Sequence, residues 1–204
     1  MNEIRRLPRA QVSRSDMTTI LIVPGLFNSE PQHWQSWLER RIPGSIRVHQ
    51  DDWAVPDLAS WAARVREGIR RCRHSVILVA HSFGCLASVA AAADPSLRVA
   101  GALLVAPPDP DRWSIAAGLP QRRLPYPAIM VASTNDDWMS IERTTFWAQR
   151  WGADLVNLGQ AGHVTTESGF GPWPECLSLL DRLRQSSRSA LASDAGGTKS
   201  HGSV

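Results

Sequence analysis

No stretch of about eighteen uncharged apolar residues occurs in the 204-residue chain, which excludes a membrane-crossing helix on sequence grounds. The N-terminus is polar and arginine-bearing, without the apolar segment of a secretory signal. Cysteine is scarce: Cys72, Cys85 and Cys176 are an odd number at no metal-like spacing. That argues against a disulfide framework and predicts free thiols in a reducing, cytoplasmic compartment. No grouping of His, Cys and carboxylate has metal-ligand spacing, so neither metal nor cofactor is expected. Internal repeats are absent too.

Excess charge is missing where a nucleic-acid partner would need it. The isoelectric point is near 9.1. Residues 1–16 hold four arginines against two acids, and residues 186–204 hold Arg188 and Lys199 against Asp194. The formal net charge of +3 therefore sits in the ends, and the neutral centre offers no phosphate-tracking face. No nucleic-acid and no membrane partner is expected.

What is present suffices for one domain with a substantial core. Residues 1–16 lack hydrophobic periodicity and read as a flexible basic tail, with Met17 an alternative natural start. The domain spans 17–185, and the Ser-, Gly- and Ala-bearing segment 186–204 reads as a second flexible tail. Between them, apolar runs at 19–23, 76–80, 99–106, 128–133 and 153–158 alternate with helical patterns, and 46–50 is a sixth candidate strand. Asp57 and Ser140 stand at N-cap positions. Alternation of this kind predicts a three-layer α/β/α sandwich around a mainly parallel sheet of about six strands.

One stretch organises the rest. Val76-Ile77-Leu78-Val79-Ala80-His81-Ser82-Phe83-Gly84-Cys85-Leu86 reads as a strand, a sharp turn with serine at its apex, and a helix. The G-x-S-x-G pattern of such an elbow appears here with Ala80 in place of the first glycine. Small residues are expected at 80 and 84 because the chain folds back tightly there.

In parallel sheets chemistry gathers beyond the carboxyl ends of strands. Those loops are Pro24–Ser29, His81–Gly84, Ser133–Trp138 and Gly159–Thr165. They supply, in order, backbone donors, a serine, two aspartates and a histidine, the Ser–acid–His chain order of one large class of hydrolytic triads.

Over residues 18–185 the chain resembles the compact serine hydrolases named after retinoblastoma-binding protein 9 and YdeN, in the α/β-hydrolase superfamily. The carriers are Val23-Pro24-Gly25 with His33-Trp34, the Trp53–Pro56–Leu58–Trp61 stretch, His81-Ser82-Phe83-Gly84, Ser133–Asn135-Asp136, Gly162-His163, and Glu167 through Trp173. The resemblance implies an α/β-hydrolase fold of minimal size. A proline often follows the acid in that pattern. Asp137 stands there in this chain, so Asp136 is the expected acid and Asp137 the alternative.

The expected roles follow from the chemistry of acyl transfer. Ser82 is the nucleophile, His163 the base and Asp136 the group that orients it. The backbone N–H groups of Leu26 and Phe83 are the oxyanion donors, and Phe27, Asn28 and Trp138 are pocket candidates. A serine after a strand is ordinarily a turn residue; here three other loops converge on the same chemistry. His81 should point away from Ser82, His33 should pack or cap the first helix, and Cys85 should be helix packing and not a second nucleophile. Trp34, Trp37, Trp61 and Trp173 fall at helix-face positions and read as core, whereas Trp138 is the one expected to reach the pocket. The expected substrate is a small ester, thioester or amide, cleaved by a monomer or small homo-oligomer. The rival reading is a binding protein on the same scaffold with a vestigial triad.

Overall fold

The computed structural model describes residues 18–196, with side chains described as far as Ser189. The N-terminal tail expected over 1–16 and the alternative start at Met17 lie outside the described residues.

Six strands form one sheet in the order β2-β1-β3-β4-β5-β6, with every pair parallel. They are β1 (Thr19–Val23), β2 (Ile46–Arg47), β3 (Val76–His81), β4 (Val99–Val105), β5 (Ala128–Ala132) and β6 (Asp154–Asn157). β3 and β5 are buried along their whole lengths, as continuous apolar strands must be when helices cover both faces. Against one face lie α2 (Leu58–Arg71), α3 (Phe83–Ala91) and α4 (Ile141–Trp151), whose Trp61, Val65, Leu86, Val89, Trp147 and Trp151 share one core. The other face is covered by α1 (Trp34–Arg41) and α5 (Glu175–Gly196), through Trp34, Leu38, Cys176 and Leu180. This is the minimal α/β-hydrolase architecture.

Local chemistry sets the helix ends. The Asp57 carboxylate accepts the Ala59 N–H, and the Ser140 hydroxyl accepts that of Arg143, each satisfying an amide that has no partner inside its helix. Gly152 ends α4 at φ +67°, a conformation with little cost for glycine.

Two boundaries differ from the sequence expectation. The strand expected over 46–50 pairs only at Ile46 and Arg47, plus one bond from Val48 N–H to Ile22 O. The inward side chains continue to alternate at Val48 and Gln50, but β1 ends at Val23 and leaves nothing to pair with. The domain boundary at 185 is crossed by α5, which runs on to Gly196. Ser187 is buried there with its hydroxyl 2.5 Å from Ala100 O, and Leu183 fills the space that Gly101 leaves open. A serine-rich composition reads as a tail only while the contact that buries Ser187 is unknown.

Candidate active site

Every functional loop leaves the carboxyl edge of the sheet. At the end of β3 the backbone turns sharply at Ser82, with φ 51° and ψ −131°, a strained conformation for a non-glycine residue. Gly84 makes room for it: a Cβ there would sit 2.3 Å from Pro24 O and 2.5 Å from Val23 O. The crowding that excludes a side chain at 84 therefore comes from the end of β1 and not from Ala80. Gly25 answers from the other side, since a Cβ on it would lie 2.6 Å from the Ser82 Cβ. Two glycines thus let the loop after β1 close onto the elbow.

Ser82 Oγ lies 2.9 Å from His163 Nε2, and His163 Nδ1 lies 3.0 and 2.9 Å from the two oxygens of Asp136. The Asp136 side chain is 4% exposed and that of His163 15%. Asp136 also accepts the Trp138 N–H at 2.9 Å. Asp137 is exposed, and among the described residues only its backbone carbonyl is engaged, by Arg112. Of the two candidate aspartates, the geometry brings Asp136 to the histidine.

Both flanking loops are pinned to each other. Asn135 Oδ1 accepts the Gly162 N–H at 2.8 Å, and Ser133 Oγ accepts that of Ala161 at 3.0 Å. Val164, immediately after the histidine, has φ 51°, a costly conformation for a β-branched residue. His81 is buried and donates from Nε2 to His163 O at 2.9 Å, which holds that peptide in place. His81 thus points away from Ser82, as expected, and it ties the serine strand to the histidine loop. Burial is the first cause that drives the His81 pKa well down, with the neighbouring His163 and His33 acting in the same direction.

The loop after β1 is braced from below. Gln35, fully buried, donates to Val23 O at 3.2 Å and Val79 O at 3.0 Å, and accepts the Ser29 hydroxyl at 2.7 Å. Arg47 donates to Asn28 Oδ1 and Ser29 O, at 2.9 and 3.0 Å. The Phe27 N–H is used by Trp53 O, whereas those of Leu26 and Phe83 meet no carbonyl among the described residues. Phe27 and Asn28 both take positive φ, at 63° and 65°.

A cavity of about 380 Å³ opens above Ser82. The pocket candidates Phe27, Asn28 and Trp138 line it, and so does Leu26, although the Asn28 amide oxygen is already held by Arg47. Trp138 stacks on Trp113 with 6.2 Å between ring centroids, and the Arg112 guanidinium lies 4.9 Å from its ring. Sequence reasoning missed Glu30, His33, Thr165, Thr166 and Glu167, which also line the cavity. The signal for Glu30 was its loop, shared with Leu26, and for Glu167 its place just after His163. His33 does cap α1, accepting the Gln35 N–H on Nδ1 at 3.1 Å, yet its ring also faces the cavity.

Burial is the first cause that lowers the His33 pKa to about 4; the Glu30 carboxylate opposes it, and Arg47 and the neighbouring His163 act with it. The unfolded chain therefore binds this proton first. His33's contribution to stability is complete above pH 6.5 and is lost as pH falls toward 4, approaching ~3 kcal/mol. His81 acts in the same direction. Urea midpoints should be lower at pH 5 than at pH 7, and His33→Asn should narrow that gap; an unchanged gap would contradict the burial argument.

Among the described residues no three His, Cys, Asp or Glu side chains are grouped to hold a metal, and no helix is long and apolar enough to cross a membrane. The sequence profile of the serine hydrolase family matches residues 20–182. This chain belongs to the serine hydrolase family. A solved structure from Pectobacterium atrosepticum, described as a YdeN-like hydrolase, is 40% identical, with 86% of this chain and 94% of that one covered and a TM-score of 0.79. The ydeN gene product of Bacillus subtilis is 21% identical over 82% of this serine hydrolase and 98% of its own length, with a TM-score of 0.70. Thermogutta terrifontis esterase 2 shares the fold at 17% identity and a TM-score of 0.55, covering 72% of this chain and 73% of that one. No curated protein matches this sequence. The YdeN-like, α/β-hydrolase character expected from sequence therefore holds for this serine hydrolase.

Proposed function

We propose that this serine hydrolase cleaves small carboxylic esters, or the related thioesters and amides, through an acyl-enzyme on Ser82. The observation that carries the reading is the continuous line Ser82–His163–Asp136, with contacts of 2.9 to 3.0 Å beside an accessible cavity. Ser82 Oγ attacks the carbonyl carbon as its proton passes to His163 Nε2. The negative charge that develops on the carbonyl oxygen is met by the Leu26 and Phe83 N–H groups, each worth about 3 kcal/mol of barrier by comparison with known oxyanion donors. Collapse breaks the bond to the leaving group, which takes the proton from His163. Water then repeats the sequence on the acyl-enzyme, releasing the acid and restoring Ser82. The segment between β4 and β5 holds only two short 3-10 turns, Pro110–Trp113 and Ala116–Gly118, and builds no large cap. An uncapped cavity of this size favours short acyl chains.

A fluorophosphonate probe tests the mechanism. The wild type should label at Ser82, and His163→Ala should lose the labelling by at least ~100-fold, because the hydroxyl is unreactive without its base. A wild type that does not label would favour a binding protein on this scaffold.

A further inference from the structure

The steps above use Ser82, His163, Asp136 and two backbone amides, and leave the His33 ring in the cavity without a task. The residue is 3% exposed. Its Nδ1 accepts the Gln35 N–H, so Nδ1 carries the lone pair and the ring proton resides on Nε2. Among the described residues that N–H meets no acceptor, and it is not one of the polar atoms sealed from solvent without a partner. Its open side is the cavity that the ring lines. The donor is therefore open on the cavity side and uncommitted within the protein, so a ligand oxygen entering the cavity can take it up in place of water.

Resting on the reading of this serine hydrolase as an acyl-transfer enzyme, we infer that His33 is a substrate-binding residue. Its Nε2–H donates a hydrogen bond to an oxygen of the substrate outside the reacting carbonyl. The reacting oxygen already has the Leu26 and Phe83 donors, and the leaving group receives its proton from His163. A third fixed donor therefore selects esters with a further acceptor oxygen, such as hydroxy- or alkoxy-acyl groups. That oxygen belongs to a neutral group: the other charged side chains on the cavity wall, apart from the histidines, are the carboxylates of Glu30 and Glu167, which repel an anion. Burial keeps the ring neutral through the physiological range, so it serves as a fixed donor and not as a second base.

The test compares p-nitrophenyl methoxyacetate with p-nitrophenyl butyrate on the full chain. These esters share a leaving group and differ in the acyl oxygen. His33→Asn keeps an oxygen acceptor at the α1 N-cap and removes the distal donor. It should lower the methoxyacetate-to-butyrate ratio of kcat/KM by about tenfold, the worth of one such hydrogen bond. His33→Gln, whose amide reaches farther, should recover part of the ratio. Fluorophosphonate labelling of each variant confirms that Ser82 and the fold survive. A ratio unchanged within about twofold in both variants that label would overturn the assignment. If the wild type neither labels nor hydrolyses either ester, the acyl-enzyme reading itself fails, and the assignment of His33 with it.

Discussion

Ser82→Ala is expected to lower kcat/KM for a small ester by ~10⁴ or more, while the protein keeps its melting temperature or gains slightly. The activity loss follows from removal of the atom that becomes acylated. What remains is the contribution of the oxyanion donors and substrate binding, which cannot replace a covalent intermediate. Stability should hold because, among the described residues, Ser82 Oγ hydrogen-bonds only with His163, and an alanine fills nearly the same volume. Its strained backbone, at φ 51°, suits alanine as well as serine. Steady-state kinetics with p-nitrophenyl acetate, alongside a thermal melt, decide the matter; near-wild-type turnover would sink the proposed mechanism.

The second large effect separates two neighbouring carboxylates. Asp136→Asn should reduce kcat by ~10³ to 10⁴, whereas Asp137→Asn should change it by less than about threefold. In the wild type both Asp136 oxygens face His163 Nδ1, so the proton is held there and Nε2 is free to accept from Ser82. An asparagine at 136 can turn its NH₂ toward Nδ1, which moves the ring proton to Nε2 and blocks the base. The Trp138 N–H bond to Asp136 survives in the asparagine variant, so the acid loop keeps its shape. Asp137 reaches the site only through its backbone. Equal losses in the two variants would contradict the geometry.

The sheet was legible because each central strand is a continuous run of β-branched and aliphatic residues, Thr19–Val23 and Val76–Ala80 most plainly. Such runs have one stable home in a parallel sheet. Ser82 and His163 were legible because both occupy loops at the same strand ends, and chain order alone placed the aspartate between them. Asp136 and Asp137 were harder to separate: both are short acids in one turn, and only the direction of each side chain distinguishes them. His33 was hidden for a different reason. An N-cap and a cavity wall use opposite nitrogens of one ring, and local sequence speaks only for the cap. The continuation of α5 past residue 185 was hidden because its evidence is a long-range contact, Ser187 with Ala100 on β4.

The three side chains of the proposed triad stand beyond three different strands, β3, β5 and β6, and their loops are tied by bonds that span 27 to 82 residues. No fragment of the chain holds the catalytic geometry in miniature. During refolding, helices such as α2 can form early from local contacts, whereas parallel strands must first close long loops. Regain of the proposed hydrolytic activity would then mark the last docking event, trailing the tryptophan fluorescence that reports collapse of the helices onto the sheet. The same architecture makes catalysis an all-or-none reporter of a fully wound fold.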